Sequence, residues 1–459
     1  MSSPKFLLIG ALALTMASLT ACKQGGDSNS RTRINKALGQ NKTTPAPTPS
    51  KDTLQADVNK DTENGITIGG SISCQNLKPS LDTYGWKVQS IQSKETTQNG
   101  KTLNIVFYTL KNSTFENPVL YFKKNALQAT TAQDLENFSK WATQYNFDPI
   151  LMDARGAGCS TVLPDLKTLS SRVNDYGSSR EIADAELIRK ALLNGKKWKV
   201  LGTRSGGAAA LRYAQLHPEA LTSLHIADFT VVQNSVDLES FRLEQEAKNF
   251  KSLLDHFKIT DNEVTKAQQT LDASKCQPDL NSCHELLDLK SGFAISSTTG
   301  WQNIAELIKN INDGTQKTED LLKEFQNHKK YVDFINVSKF LDLSSDKNLS
   351  GCTEALKAKP DGILNSCRLQ KNLSRSENTD LKNKINYVAL DLNKISQNLT
   401  QNKIPYYLVA GQLSSLYPFD LYQEQEEVMN QNPDFNLLQI SDMGSEVIYS
   451  KQLFDTLNK

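Results

Sequence analysis

The sequence lacks a charge excess of either sign: 52 lysines and arginines against 51 aspartates and glutamates leave a formal net charge of +1. With no basic surplus to attract phosphates, nucleic acid is not among the expected partners. Aromatic residues are sparse at 7%, and histidine is scarcer still. The five histidines stand at His217, His225, His256, His284 and His328, and none lies downstream of residue 328. Chemistry that takes an imidazole base from the C-terminal part of the chain is therefore excluded. A metal centre is also missing its parts. Cys276, Cys283 and His284 could form half a zinc site, but no second cluster completes it, so neither metal nor cofactor is expected. What remains is 459 residues, 38% of them hydrophobic, enough for one large domain with an insertion or for two domains.

The N-terminus reads as a targeting segment. Lys5 precedes the apolar run FLLIGALALTMASLT, which is too short and too early to span a membrane, and the run ends at Ala21-Cys22. Leu19-Thr20-Ala21-Cys22 resembles the lipobox of bacterial lipoproteins. The resemblance implies a signal peptide over residues 1–21 and a lipidated Cys22 as the mature N-terminus. Acyl chains such as palmitate would tether the chain stably to a membrane. Lys23 stands where lipoproteins retained in the inner membrane carry aspartate, so the resemblance favours the outer membrane, facing the periplasm. Six further cysteines, Cys74, Cys159, Cys276, Cys283, Cys352 and Cys367, read as disulfides in an exported chain. Proximity in sequence suggests Cys276–Cys283 and Cys352–Cys367, leaving Cys74–Cys159.

Residues 22–66 are rich in Ser, Thr, Asn, Gln, Lys and Pro and read as a disordered tether after the lipidated cysteine. A coil of that length spans roughly 35 Å on average. From about residue 84 the pattern changes. WKVQSIQ and LNIVFYTL predict an early hairpin, and PVLYF, DPILMDA, WKVLGT and LTSLHIAD predict short buried strands. Between these, TAQDLENFSKWATQY and REIADAELIRKALLNG have helical spacing, so the alternation predicts βαβ units around a mostly parallel sheet with helices on both faces. Residues 235–395 are charged and helix-rich, whereas IPYYLVAG and DFNLLQIS return to buried-strand character. The expected organisation is an α/β core over 67–234, a helical cap inserted at 235–395, and the C-terminal part of the core over 396–459.

Five segments, in order, carry a family resemblance: DARGAGCS (153–160), the strand–turn–helix of GKKWKVLGTRSGGAAALRYAQLHPEAL, GWQNIAELIKNINDG in the cap, IPYYLVAGQLSSLYP, and SDMGSE. Together they resemble the α/β-hydrolase superfamily, and within it serine peptidases of the prolyl iminopeptidase and tripeptidyl aminopeptidase type. The resemblance implies a Ser-Asp-His triad in that chain order, with serine at a G-x-S-x-G elbow and histidine after the last strand. At those positions this sequence has other residues. Gly202 and Gly206 bracket Arg204, which puts Arg204 where the serine belongs, while Ser205 fits only with a slip of one residue. Ser414 stands at the aspartate, with Asp420 six residues on, and Ser445 stands at the histidine. The segment in the place of the oxyanion loop reads KKNAL (123–127), without its glycines.

A guanidinium cannot lose a proton to become a nucleophile. The expectation is therefore a pseudoenzyme, a non-catalytic binding protein for an anionic or peptide ligand or a protein partner. Arg204, Lys123, Lys124 and Arg155 would together form an anion site at a helix N-terminus. Against that site stands a simpler reading, in which Arg204 pairs with a local acid, Asp228 or Asp442. Two other functions are carried alongside: an active aminopeptidase or esterase using Ser205 with a cap histidine, His256 or His284, as base, and a structural envelope protein. Cys159, beside Ser160, is expected in a disulfide rather than as a nucleophile. His217 is expected at a helix C-terminus and His225 in the core.

Overall fold

A computed structural model describes residues 77–93, 103–123, 129–160, 176, 178–231, 235–272, 287, 298–323, 389–414, 419–441 and 443–458. The signal segment, the tether and every cysteine except Cys159 lie outside the described residues.

Eight strands form one sheet: β1 (Trp86–Ser93), β2 (Leu103–Leu110), β3 (Pro118–Phe122), β4 (Asp148–Asp153), β5 (Trp198–Thr203), β6 (Leu221–Ala227), β7 (Tyr406–Gly411) and β8 (Phe435–Ile440). Their order across the sheet is β1-β2-β4-β3-β5-β6-β7-β8. The β1–β2 hairpin and the β2–β4 pair are antiparallel, and every later pair is parallel. Ten helices are described: α1 (Lys78–Thr83), α2 (Ala132–Tyr145), α3 (Ser178–Leu193), α4 (Ser205–Leu216), α5 (Ser235–Phe257), α6 (Asp261–Asp272), α7 (Thr298–Asn312), α8 (Leu392–Gln401), α9 (Asp420–Met429) and α10 (Lys451–Thr456).

The near-continuous apolar runs of the central strands follow from burial on both faces. On β3, Leu120 and Phe122 enter the core shared with α3, α4, α8 and α9, while Val119 and Tyr121 point to the other face, toward α2 and α10. A third apolar cluster belongs to the cap, where Leu253, Val264, Leu271, Trp301, Ile304 and Ile308 bring α5, α6 and α7 together. The sequence expectation put the cap's end at residue 395, which falls inside α8. That helix belongs to the core: Gln215 on α4 accepts from the Asp391 backbone N–H at 2.9 Å and donates to the Ala389 carbonyl at 3.1 Å. Among the described residues no helix is long and apolar enough to cross a membrane.

Candidate active site and its rebuilt elbow

The turn from β5 into α4 has one residue between strand and helix, and that residue is Arg204, at φ 49° and ψ −126°. Such a backbone is unfavourable for a residue with a Cβ, costing about 1–3 kcal/mol, and it persists only where the surroundings fix it. Here the Arg204 N–H donates to the Ala227 carbonyl at 2.9 Å, and its carbonyl accepts from Gly207 N–H at 2.7 Å. The glycines on either side make the turn possible. A Cβ on Gly206 would meet the Phe122 and Lys123 carbonyl oxygens, and one on Gly202 would meet Gly206 itself, all inside 3.0 Å. Both glycines fit the register with Arg204 at the apex, and Ser205 opens α4 as its first residue.

The Arg204 side chain is 28% exposed, and its Nε lies 3.2 Å from Oδ2 of Asp228, a fully buried carboxylate that follows β6. The second oxygen of Asp228 accepts from Ser414 Oγ at 2.6 Å. One carboxylate therefore joins Arg204, at the apex of the turn, to Ser414, in the loop after β7. Beside them the Tyr121 hydroxyl bonds Thr203 Oγ1 at 2.9 Å, and burial raises the Tyr121 pKa, so it stays a neutral phenol. Ser445 opens a short 3₁₀ turn, Ser445–Tyr449, after β8. The backbone of Asp420 starts α9.

Among the described residues, two of the cations expected around Arg204 are paired with acids of their own. Lys123 is buried against Asp153 at 2.5 Å, and Arg155 donates from Nε and Nη2 to the two oxygens of Asp184 at 2.8 and 2.6 Å. The physical reason is desolvation, since a buried cation needs its own counterion, and these two have theirs on the chain. Lys124 lies outside the described residues, as do the rest of the KKNAL loop, Asp442, His284 and His328. Arg204, by contrast, has the simpler arrangement expected for it, an ion pair with Asp228.

The DARGAGCS segment builds a turn around Asp153. This carboxylate accepts from Lys123 Nζ, from Thr130 N–H at 2.7 Å, from the Tyr108 hydroxyl at 2.8 Å and from Cys159 N–H at 2.9 Å. Burial alone would raise its pKa, but the Lys123 charge and these donors hold it below the usual carboxylate range. Gly158, at φ 50°, touches that carboxylate so closely that a Cβ has no room. Cys159 is disulfide-bonded, and its partner is outside the described residues.

His217 is the C-cap residue of α4. His225 is buried on β6, with Nε2 2.6 Å from Ser223 Oγ and Nδ1 2.8 Å from Thr456 Oγ1. Burial, aided by nearby Lys199, holds its pKa well below the ordinary histidine value. His256, near the end of α5, is exposed and packs edge-on against Phe257. Sequence reading missed Asp184, Asn249 and Glu446, because acids and amides in loops and helix faces carry no spacing signal until the fold pairs them.

Comparison with known proteins gives the family. Residues 132–414, more than half of the chain, match the family described as alpha/beta hydrolase fold. Among solved structures the chain is similar to a putative lipase from Acinetobacter baumannii, with 13% identity, 86% of this chain and 96% of that chain covered, and a TM-score of 0.35. It is also similar to MGS-M2, an alpha/beta hydrolase enzyme from a Medee basin deep-sea metagenome library, with 13% identity, 80% and 95% covered, and a TM-score of 0.38. A third likeness is to an alpha/beta fold family hydrolase from Bacillus anthracis, with 14% identity, 81% and 99% covered, and a TM-score of 0.37. In sequence alone, 228 residues, 50% of the chain, are 22% identical to Structural maintenance of chromosomes protein 4 of Schizosaccharomyces pombe, of which the chain spans only 16%. The eight-stranded sheet, the strained elbow at Arg204 and the match over residues 132–414 agree: the chain belongs to the alpha/beta hydrolase fold family.

Proposed function

We propose that this chain is a non-catalytic, lipid-anchored binding protein of the bacterial cell envelope, descended from hydrolases of the prolyl iminopeptidase and tripeptidyl aminopeptidase type. The observation that carries the reading is Arg204 at the elbow apex, paired with Asp228, whose other oxygen is held by Ser414. A hydrolase needs at that apex an oxygen or sulfur that can give up a proton to a base. A guanidinium has only donors and stays charged, so it can neither attack an acyl carbon nor leave as an alkoxide. No histidine follows β8 in the sequence to take the base's place.

The ion pair also ranks the ligands. A small anion reaching Arg204 has to compete with a carboxylate 3.2 Å away, in a site whose two charges already cancel. A peptide or protein partner presenting a carboxylate adds contacts along the cap and the strand ends that a bare anion lacks, so that class is favoured.

Turnover tests the reading. Folded, oxidised protein is expected to hydrolyse neither p-nitrophenyl esters nor aminoacyl p-nitroanilides above the buffer rate. Hydrolysis that disappears in Ser205→Ala would overturn it. For the anchor, wild type is expected to incorporate radiolabelled palmitate and to sediment with membranes, and Cys22→Ala to do neither.

A further inference from the structure

We propose that the loops following β7 and β8, which in a hydrolase of this fold present the acid and the base, serve in this chain as a clamp that holds the helical cap against the core beside the elbow. The proposal rests on the non-catalytic reading of those loops. It stands on contacts that reach the cap from both loops, at two different cap helices.

From the loop after β7, the Leu413 carbonyl accepts from Asn249 Nδ2 of α5 at 2.7 Å. Asn249 is buried and is oriented by Gln245, one turn earlier, whose Nε2 donates to its Oδ1 at 2.8 Å. The Leu413 side chain packs against the cap's own apolar cluster. From the loop after β8, the Glu446 carboxylate accepts through Oε1 from the backbone N–H of Thr298 at 2.9 Å and from its hydroxyl at 3.2 Å. Thr298 is the first residue of α7, so this carboxylate satisfies a free N–H at the positive end of a cap helix. The other oxygen of Glu446 accepts from Gly444 N–H at 3.1 Å, which fixes the carboxylate on its own loop.

The two loops are also joined to each other. Leu413 N–H donates to the Met443 carbonyl at 2.9 Å, and Gln412 N–H to the Ile440 carbonyl at 3.0 Å. Through Ser414 and Asp228 the same loop reaches Arg204. The elbow, both loops and two cap helices thus form one connected polar path. Glu446 lies immediately after Ser445, so the position next to the expected base has become the cap's acceptor.

Hydrogen–deuterium exchange on the full, oxidised chain tests the clamp, comparing wild type with Glu446→Ala, Glu446→Gln and Asn249→Ala. Loss of the Glu446 carboxylate is expected to speed exchange in peptides covering α7 roughly three- to tenfold, the range of one or two net hydrogen bonds. Glu446→Gln keeps an acceptor oxygen and is expected to recover most of the protection. Asn249→Ala is expected to speed exchange in α5. Peptides from β5 and β7 report whether each variant is folded. If α7 in Glu446→Ala exchanges within twofold of wild type while β5 and β7 stay protected, the clamp is wrong and the cap is held by its apolar contacts alone. The same samples treated with a fluorophosphonate separate the two claims. Labelling of Ser205 with a Glu446-dependent α7 sinks the non-catalytic reading and spares the contacts. No labelling with an indifferent α7 sinks only the clamp.

Discussion

Replacing Asp228 by asparagine puts the rebuilt elbow to a quantitative test. Asp228 sits at φ 53°, a conformation asparagine tolerates nearly as well as aspartate, so the change removes charge with little backbone cost. It replaces a carboxylate that accepts from Arg204 Nε at 3.2 Å through one oxygen and from Ser414 Oγ at 2.6 Å through the other with an amide that has a single acceptor oxygen, so the ion pair is lost and any bond left to the serine is neutral. Each charged bond contributes about 1.5–3 kcal/mol against about 0.5–1.5 for a neutral one. Because Arg204 is partly solvated, its share falls at the low end, and the expected total loss is about 2–3 kcal/mol. The pairwise part is isolated by a double-mutant cycle with Arg204→Met. Methionine at 204 carries the same backbone strain as arginine, so the strain cancels between the arms of the cycle. Urea denaturation followed by tryptophan fluorescence supplies the four free energies. A coupling of about 1–2 kcal/mol that declines at high salt is expected. Additivity within about 0.5 kcal/mol would refute the pairing as a determinant of the elbow.

Gly206→Ala is expected to cost at least about 3 kcal/mol or to prevent soluble expression, since its Cβ would meet two backbone carbonyl oxygens of β3 and its edge; thermal unfolding checks this. Gly158→Ala combines a φ of 50° with a clash on the Asp153 carboxylate and is expected to lower the melting temperature by several degrees, on the order of that for a lost buried hydrogen bond. His225 gives a pH dependence of fixed sign. Its folded pKa is depressed, so below pH ~6.5 the unfolded chain takes up a proton the folded chain does not, and stability falls by up to ~1.4 kcal/mol per pH unit. Asp153, held below the usual carboxylate range, adds a loss of the same direction as pH falls through about 3.9. Urea midpoints at pH 7.0 and 5.5 are expected to differ in wild type and to converge in His225→Gln, and an unchanged difference would exclude His225 as its source.

Much of the fold was legible because its signals are local. The runs PVLYF, DPILMDA, WKVLGT and IPYYLVAG are apolar on both faces, as strands between two helical layers must be, and each forms a strand of the sheet. The elbow was legible for a steric reason: Gly202 and Gly206 are the only residue types that fit either side of the apex, and their spacing points to Arg204. The acid partners of Lys123 and Arg155 were not legible because a basic residue near a strand end looks the same in sequence whether it faces a ligand or a buried aspartate. The partners that decide the matter, Asp153 and Asp184, lie about thirty residues away in sequence. The clamp was invisible for a similar reason, since Asn249 and Leu413 lie 164 positions apart and Thr298 and Glu446 148. Where the sequence placed the end of the cap, at residue 395, it lacked the Gln215–Asp391 bond that ties α8 to the core.

The non-catalytic reading requires that neither Arg204 at the elbow apex nor its neighbour Ser205 act as a nucleophile. Intact-mass analysis of the folded, oxidised protein after incubation with a fluorophosphonate tests it most directly, with Ser205→Ala as control. No added mass is expected in either protein. An adduct on wild type that is absent from Ser205→Ala would make Ser205 a reactive nucleophile and the chain a hydrolase with its nucleophile one residue past the apex.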